Sequence, residues 1–172
     1  MTNLSEKSLQ AFEVRNNISL VHMVVLVERG DFLDNILALN PDMTKHLDYE
    51  APAVFNITPI ALAAVVGNIE IVNQLIRGGA DLDGTSYVGF SPLHIAAVLG
   101  NIEIVNQLIR GGAGLDGTSY LGLSPLHLSI RLGQWRVAES LLEAGAIPHY
   151  HEEVYRAKLF VEATWSYVTN PS

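Results

Sequence analysis

The chain contains no cysteine, so disulfide bonds and thiolate metal sites are excluded. This absence suits a reducing compartment, and we expect a cytoplasmic protein. Charged residues are also scarce, at 16% of the chain compared with about 25% in ordinary soluble domains. Because apolar residues make up 49% of the chain, we expect some apolar surface to remain exposed.

Basic clusters and long apolar runs are missing too. The net charge is −8 and Lys and Arg nowhere cluster, which argues against the basic stripe of a nucleic-acid-binding protein. The apolar stretch at residues 18–27 is too short to cross a bilayer and follows no basic leader. We therefore expect no nucleic-acid partner, no membrane span and no signal peptide.

The most informative feature is an internal repeat. Residues 67–89, GNIEIVNQLIRGGADLDGTSYVG, return almost unchanged at residues 100–122. The spacing is 33 residues (67 to 100), and it also relates Thr58-Pro59 to Ser91-Pro92 and to Ser124-Pro125. A strict period of this length is typical of stacked helix pairs rather than of one globular core.

The residues within one unit predict a helix pair. Ser91 offers a hydroxyl to the free N–H groups of a helix start, and Pro92 follows at the first helical position. A second helix begins after Asn101, and Gly111-Gly112 ends it. Asp116-Gly117 predicts a tight turn in the connecting segment, which should project as a finger.

The order of these residues resembles an ankyrin repeat. The resemblance rests on Ser-Pro-Leu-His-Ile-Ala-Ala at 91–97, on Gly-Asn at 100–101, on Ile104-Val105 and on Gly112-Ala113. Ser-Pro-Leu-His returns at 124–127, whereas Thr-Pro-Ile-Ala at 58–61 has Ala61 where the family has histidine. The resemblance covers roughly residues 58–146.

The resemblance implies an all-α fold, an ankyrin-repeat solenoid of stacked antiparallel helix pairs with finger-like turns. We expect one domain with three clear repeats at 58–90, 91–123 and 124–147. Residues 1–57 would form an N-terminal cap with a divergent repeat, and 148–172 a C-terminal capping helix. Terminal units are normally atypical because one face must meet water.

Two groups of residues could take part in catalysis or metal binding, and both also have a structural explanation. Ser91 with His94, and Ser124 with His127, could pair a nucleophile with a base, but in the family this histidine ties adjacent turns together by hydrogen bonds. His-Tyr-His-Glu-Glu at 149–153 has metal-ligand residue types, but no third ligand at suitable spacing is visible and Pro148 indicates a loop, so we expect a plain solvent-exposed turn. We predict no enzyme, no metal and no cofactor.

The predicted partner surface consists of fingers and first-helix faces, where ankyrin-repeat proteins usually bind. In this chain the corresponding positions are mostly aromatic or aliphatic, which marks an interaction surface. They are Thr85, Tyr87, Val88 and Phe90 with Val98 and Leu99 behind, then Thr118, Tyr120, Leu121 and Leu123 with Arg131 and Leu132 behind. Val65 and Val66 hold the helix position in the preceding unit.

Within this surface, Tyr87 and Tyr120 should stand side by side about 10 Å apart, the spacing of neighbouring helices. Phe90 and Leu123 could equally pack sideways against the next finger. The sequence thus predicts a non-catalytic module that binds a protein or peptide through its finger tips and concave helix face. The alternatives are a homodimer that uses the same patch, and an effector that an intracellular bacterium delivers to act on a host protein.

Overall fold

The computed structural model describes residues 19–39, 47–48, 50–51, 56–86 and 88–148. These residues form eight helices and no strand, apart from an isolated antiparallel bridge between Ala51 and Ile57. The helices are α1 Leu20–Leu26, α2 Gly30–Leu39, α3 Pro59–Val66, α4 Ile69–Arg77, α5 Pro92–Leu99, α6 Ile102–Gly111, α7 Pro125–Arg131 and α8 Trp135–Glu143. None of the helices in these ranges has the length and apolarity to span a membrane.

The helices stack in two rows. The first helices of the pairs, α1, α3, α5 and α7, each contact the next along the row, and so do the second helices α2, α4, α6 and α8. Each first helix also packs on its own second helix. The predicted all-α solenoid of stacked helix pairs is confirmed.

The two rows differ in composition because they differ in burial. In α3 and α5 every residue from the starting proline to the last alanine, 59–64 and 92–97, is buried. The small side chains at 61, 63, 64, 96 and 97 let these helices approach neighbours on several sides. By contrast α4 and α6 are amphipathic, with only one buried stripe each, which in α6 is Ile104, Val105 and Leu108.

Side-chain caps fix where the first helices begin. Thr58 Oγ1 accepts a hydrogen bond from Ala61 N, and Ser91 Oγ accepts one from His94 N. Ser19 does the same for His22 N at the start of α1. Ser19-Leu20-Val21-His22 is therefore a divergent copy of the Ser-Pro-Leu-His motif, which periodicity alone does not reveal because it lies 39 residues (19 to 58) before the next copy.

The expected C-terminal capping helix, residues 148–172, lies outside the described residues except for Pro148, as do the histidines at 149 and 151. The N-terminal part of the expected cap, residues 1–18, lies outside them as well.

Candidate functional site

The fingers, residues 81–90 and 114–123, each close with a turn near their end. Gly89 N donates to Ser86 O at 2.7 Å and Ser86 N donates to Phe90 O at 3.0 Å. The second finger repeats this arrangement, with Gly122 N donating to Ser119 O at 2.8 Å. Gly89 has φ +75°, in the left-handed region that favours glycine.

The Asp-Gly pairs do not make the finger turn, so that prediction is wrong. Neither Gly84 nor Gly117 is among the glycines with positive φ, which an Asp-Gly hairpin turn requires. Instead, the aspartate carboxylates reach across to the next unit. Asp83 Oδ1 accepts from Gly114 N at 2.8 Å, and Asp116 Oδ1 accepts from Ile147 N at 2.8 Å.

A third aspartate extends this ladder. Asp48 Oδ1 accepts from Asp81 N at 2.6 Å. Among the described residues, each pair of neighbouring units is therefore joined, where the finger begins, by one hydrogen bond from a backbone N–H to an aspartate carboxylate. Sequence reasoning missed this role. The signal was available, because an aspartate recurs at 83 and 116 while the residues it bonds, 114 and 147, lie one repeat apart.

Tyr120 holds the two fingers together. Its backbone N donates to Val88 O at 3.4 Å, and a Cβ placed on Gly89 would lie 2.8 Å from both Tyr120 N and Tyr120 Cδ1. The ring therefore lies against the Gly89 backbone, yet 76% of the residue remains exposed. Glycine at 89 lets the Tyr120 ring approach the neighbouring finger, and the role of Tyr120 in binding stays a prediction. Tyr87, its predicted companion, lies outside the described residues.

The other predicted finger residues divide into two groups. Thr85, Val88, Thr118 and Leu121 are exposed, and Leu121 is the most exposed large apolar residue described, at 80%. Phe90 and Leu123 are only partly exposed. The Phe90 ring stacks on the His94 ring with centroids 5.6 Å apart and packs against the core. Phe90 therefore packs on the helix that follows it in the chain, α5, and sideways packing of Phe90 and Leu123 against the next finger stays a prediction.

The predicted helix residues lie at the C-terminal ends of α5 and α7. Leu99, Arg131 and Leu132 are exposed, and Val98 is partly exposed. The finger tips and these helix ends belong to different parts of each unit, because the whole first helix separates them.

The Ser-His pairs are built as helix caps. His94 Nε2 donates to Leu123 O at 3.0 Å, so Nδ1 is unprotonated and accepts from Ser91 N at 3.2 Å and from the Ser91 hydroxyl at 2.8 Å. Both residues are buried, with His94 only 1% exposed. Burial lowers the pKa of His94, opposed by the hydrogen bond to Leu123 O. The Ser91 hydroxyl is thus buried and engaged in the cap of α5.

The same bond pattern recurs at the first unit. His22 Nε2 donates to Ile57 O at 2.8 Å, and burial likewise lowers the pKa of His22. The unit between has Ala61 instead, so no side chain at that position can make the corresponding bond. Among the described residues, no group of His, Asp and Glu has the arrangement of a metal site.

Comparison with known families accounts for this pattern of paired helices, histidine ties and fingers. A family model described as ankyrin repeats (3 copies) matches residues 21–119 and 60–151. The chain belongs to the ankyrin-repeat family. Ankyrin repeats generally mediate protein–protein interaction and are typically not enzymes. A search of curated proteins gave no match.

The family match extends the resemblance toward the N terminus. It begins at residue 21, within α1, whereas the Thr-Pro motif of the first clear repeat begins at residue 58. The ankyrin pattern therefore includes the α1–α2 pair, consistent with the Ser19 cap and the His22 tie.

Proposed function

We propose that this ankyrin-repeat protein is a non-catalytic interaction module that binds a partner protein or peptide. The partner is held by exposed residues of the finger tips and of the first-helix ends. The supporting observation is the repeated exposure of large apolar residues at equivalent positions, such as Val88 at 51% and Leu121 at 80%. Tight turns do not require either side chain, and contiguous exposed apolar residues mark interaction surfaces.

Each finger has an apolar tip, and the residues where the finger begins are acidic. The two fingers contain Asp81, Asp83 and Asp116 but no Lys or Arg. Tyr120 contacts the Gly89 backbone while 76% of the residue remains exposed, and this contact restricts the ring before a partner arrives. A fixed aromatic ring loses little side-chain entropy on binding, which favours its use as an anchor.

The test begins with capture of a partner from a lysate of the source or host cell, followed by calorimetric titration of the purified partner. Replacing Val88 and Leu121 together with serine should weaken binding by at least about 2 kcal/mol if they are hot spots. Ile147→Ser removes a similarly exposed aliphatic side chain, 54% exposed, away from the finger tips and serves as the matched control. Both variants should keep the parent melting temperature, because exposed substitutions usually change stability by less than about 0.5 kcal/mol.

Unchanged affinity of the Val88/Leu121 variant would remove the fingers from the binding site. A homodimer remains the alternative use of this surface. Light scattering across a dilution series separates the two, because a dimer made by the fingers would dissociate in the variant and persist in the Ile147→Ser control.

A further inference from the structure

An apolar stripe crosses all four helix pairs at the ends of their first helices. Val27, Val66, Leu99 and Leu132 are equivalent positions directly before or at the turn to the second helix. They are 57%, 37%, 53% and 52% exposed, respectively. The preceding residues add Leu26, Val65 and Val98 to the first three units, and Arg131 to the last.

This exposure contrasts with the preceding turn of α3, α5 and α7, whereas Met23, at the same place in α1, is 40% exposed. One turn earlier, Leu62, Ile95 and Leu128 are 7%, 9% and 8% exposed. Packing within the stack therefore accounts for those residues but not for the stripe. Sequence reasoning found the stripe in the last three units and missed Leu26 and Val27, because the first unit lies out of register with the 33-residue spacing.

The distance between neighbouring positions of the stripe favours some conformations of a bound peptide over others. Neighbouring helices in a row lie about 10 Å apart. An α-helix rises about 1.5 Å per residue, so about seven residues cover that distance and complete close to two turns, which returns the side chain to the same face. A β-strand covers it in about three residues, and an odd number places the next side chain on the opposite face.

The charges beside the stripe favour a basic ligand. Glu28, Glu70 and Glu103 are exposed at the same end of the first three helix pairs. The other charges there are Asp31, which is paired with Arg29, and the arginines of the last pair, Arg131 and Arg136. The stripe is therefore bordered mainly by carboxylates over three units and by guanidinium groups at the fourth.

Glu28 is a backbone anomaly at this border. Its φ is +53°, whereas the equivalent positions in the other units are Gly67, Gly100 and Gly133 with φ of +83°, +71° and +71°. A non-glycine residue in this region stores strain, and such strain concentrates at functional sites. The carboxylate accepts a hydrogen bond from Asn68 Nδ2 at 3.2 Å, which ties it to the turn after α3.

We propose that the stripe binds a basic amphipathic α-helix whose apolar residues recur at every seventh position. This inference rests on the proposed function and names its partner class. The apolar face of the helix covers Val27, Val66 and Leu99, and its Lys and Arg residues meet the glutamates. At Leu132 the arginines favour an acidic or neutral end of the ligand.

The probe is a fluorescent helical peptide of about 25 residues, long enough to cover four units. It carries leucine at heptad positions and lysine or arginine beside them. One control has the same composition with the leucines distributed around the helix, and a second has glutamate in place of the basic residues. A third is a proline-rich peptide with leucine at every third position, because a polyproline helix also repeats at about 9 Å.

The heptad basic peptide should bind at least about tenfold more tightly than each control, and its affinity should fall as salt is added. Equal binding of the acidic control overturns the charge argument, and equal or tighter binding of the proline-rich peptide overturns the helical ligand. Absence of binding by all four peptides overturns the proposal altogether.

Variants of the protein locate the bound peptide. Val66→Ser combined with Leu99→Ser should weaken binding at least about tenfold. Ile147→Ser, at a similarly exposed aliphatic position away from the stripe and the finger tips, should leave it unchanged. Unchanged binding by the Val66/Leu99 variant, together with weaker binding by the Val88/Leu121 variant, would place the peptide on the fingers, which overturns the stripe proposal and leaves the proposed function intact. If the protein alone is a dimer that the Val66/Leu99 variant converts to a monomer, the occupant is a second copy and the proposal fails.

Discussion

The contact between the two fingers can be isolated with a pair of glycine substitutions. Gly89 and Gly122 occupy equivalent places and have nearly equal φ, +75° and +72°. A Cβ on Gly122 would meet nothing within 4 Å, whereas a Cβ on Gly89 would lie 2.8 Å from Tyr120 N and from Tyr120 Cδ1. The two substitutions to alanine therefore share their backbone strain and differ only in the steric contact.

The magnitudes follow from these differences. Gly122→Ala should cost about 1–2 kcal/mol for an alanine in the left-handed region. Gly89→Ala carries that cost and also displaces Tyr120 N, whose hydrogen bond to Val88 O contributes about 0.5–1.5 kcal/mol. Lost packing of the ring on the Gly89 backbone adds to this. We expect Gly89→Ala to be the less stable variant by about 1–2 kcal/mol.

The assay is urea unfolding of both variants and the parent, followed by circular dichroism. A difference of about 1 kcal/mol corresponds to about 2–4 °C in melting temperature for a chain of this size, so a thermal melt provides an independent reading. Adding Tyr120→Ala to Gly89→Ala should relieve only the ring contact and restore part of the loss. Equal stability of the two glycine variants would show that the fingers do not touch at Gly89.

Four further substitutions test the stack. Leu108→Ala, at a fully buried position, should cost about 2–5 kcal/mol, whereas Leu99→Ala, at 53% exposure, should change stability by less than about 0.5 kcal/mol; similar melts would remove Leu108 from the core. Burial lowers the pKa of His22 and His94, so below the ordinary histidine pKa of about 6.5 the unfolded chain binds more protons than the folded chain. The free energy of unfolding should therefore be full above that pH and decrease as the pH falls below it. His94→Gln should make this decrease shallower in unfolding curves measured between about pH 7 and 5. An unchanged slope would argue that His94 titrates normally. Glu28→Gly should raise the melting temperature, because it relieves about 1–2 kcal/mol of left-handed strain while the more flexible glycine costs about 0.5–1 kcal/mol of entropy; a lower melting temperature would mean that the lost Asn68 bond outweighs this gain.

The sequence predicts the stacking but not the contacts between fingers. Ser91-Pro92 and Asn101 act within a few residues of their own positions, so local chemistry is enough to place α5 and α6. Asp116 instead bonds Ile147 N, one unit away, and only the folded stack brings these groups together. The same reason hides the packing of Tyr120 on Gly89.

The sequence predicts a divergent repeat before residue 58, but the 33-residue spacing does not show which of its residues are equivalent to those of the other units. Ser19 and His22 keep the capping pair, and His22 even keeps the tie to the next unit through Ile57 O. Proline is missing after Ser19, and the longer connection to Thr58 breaks the period. A search for Ser-x-x-His without proline and without fixed spacing would have found this unit, and with it Leu26 and Val27 of the stripe.

The near-identity of α4 and α6 has a consequence for how the protein can change length. Both carry Ile-Glu-Ile-Val-Asn-Gln-Leu-Ile-Arg, and they pack on each other. One face of α4 packs on a different face of α6. A head-to-tail contact of this kind can be repeated along a row of identical units. A gene in which the 33-residue segment is copied once more would encode an array with one more matching junction and a stripe about 10 Å longer. Duplication or deletion of one repeat would thus lengthen or shorten the binding surface by one unit, without any change in the residues of the other units.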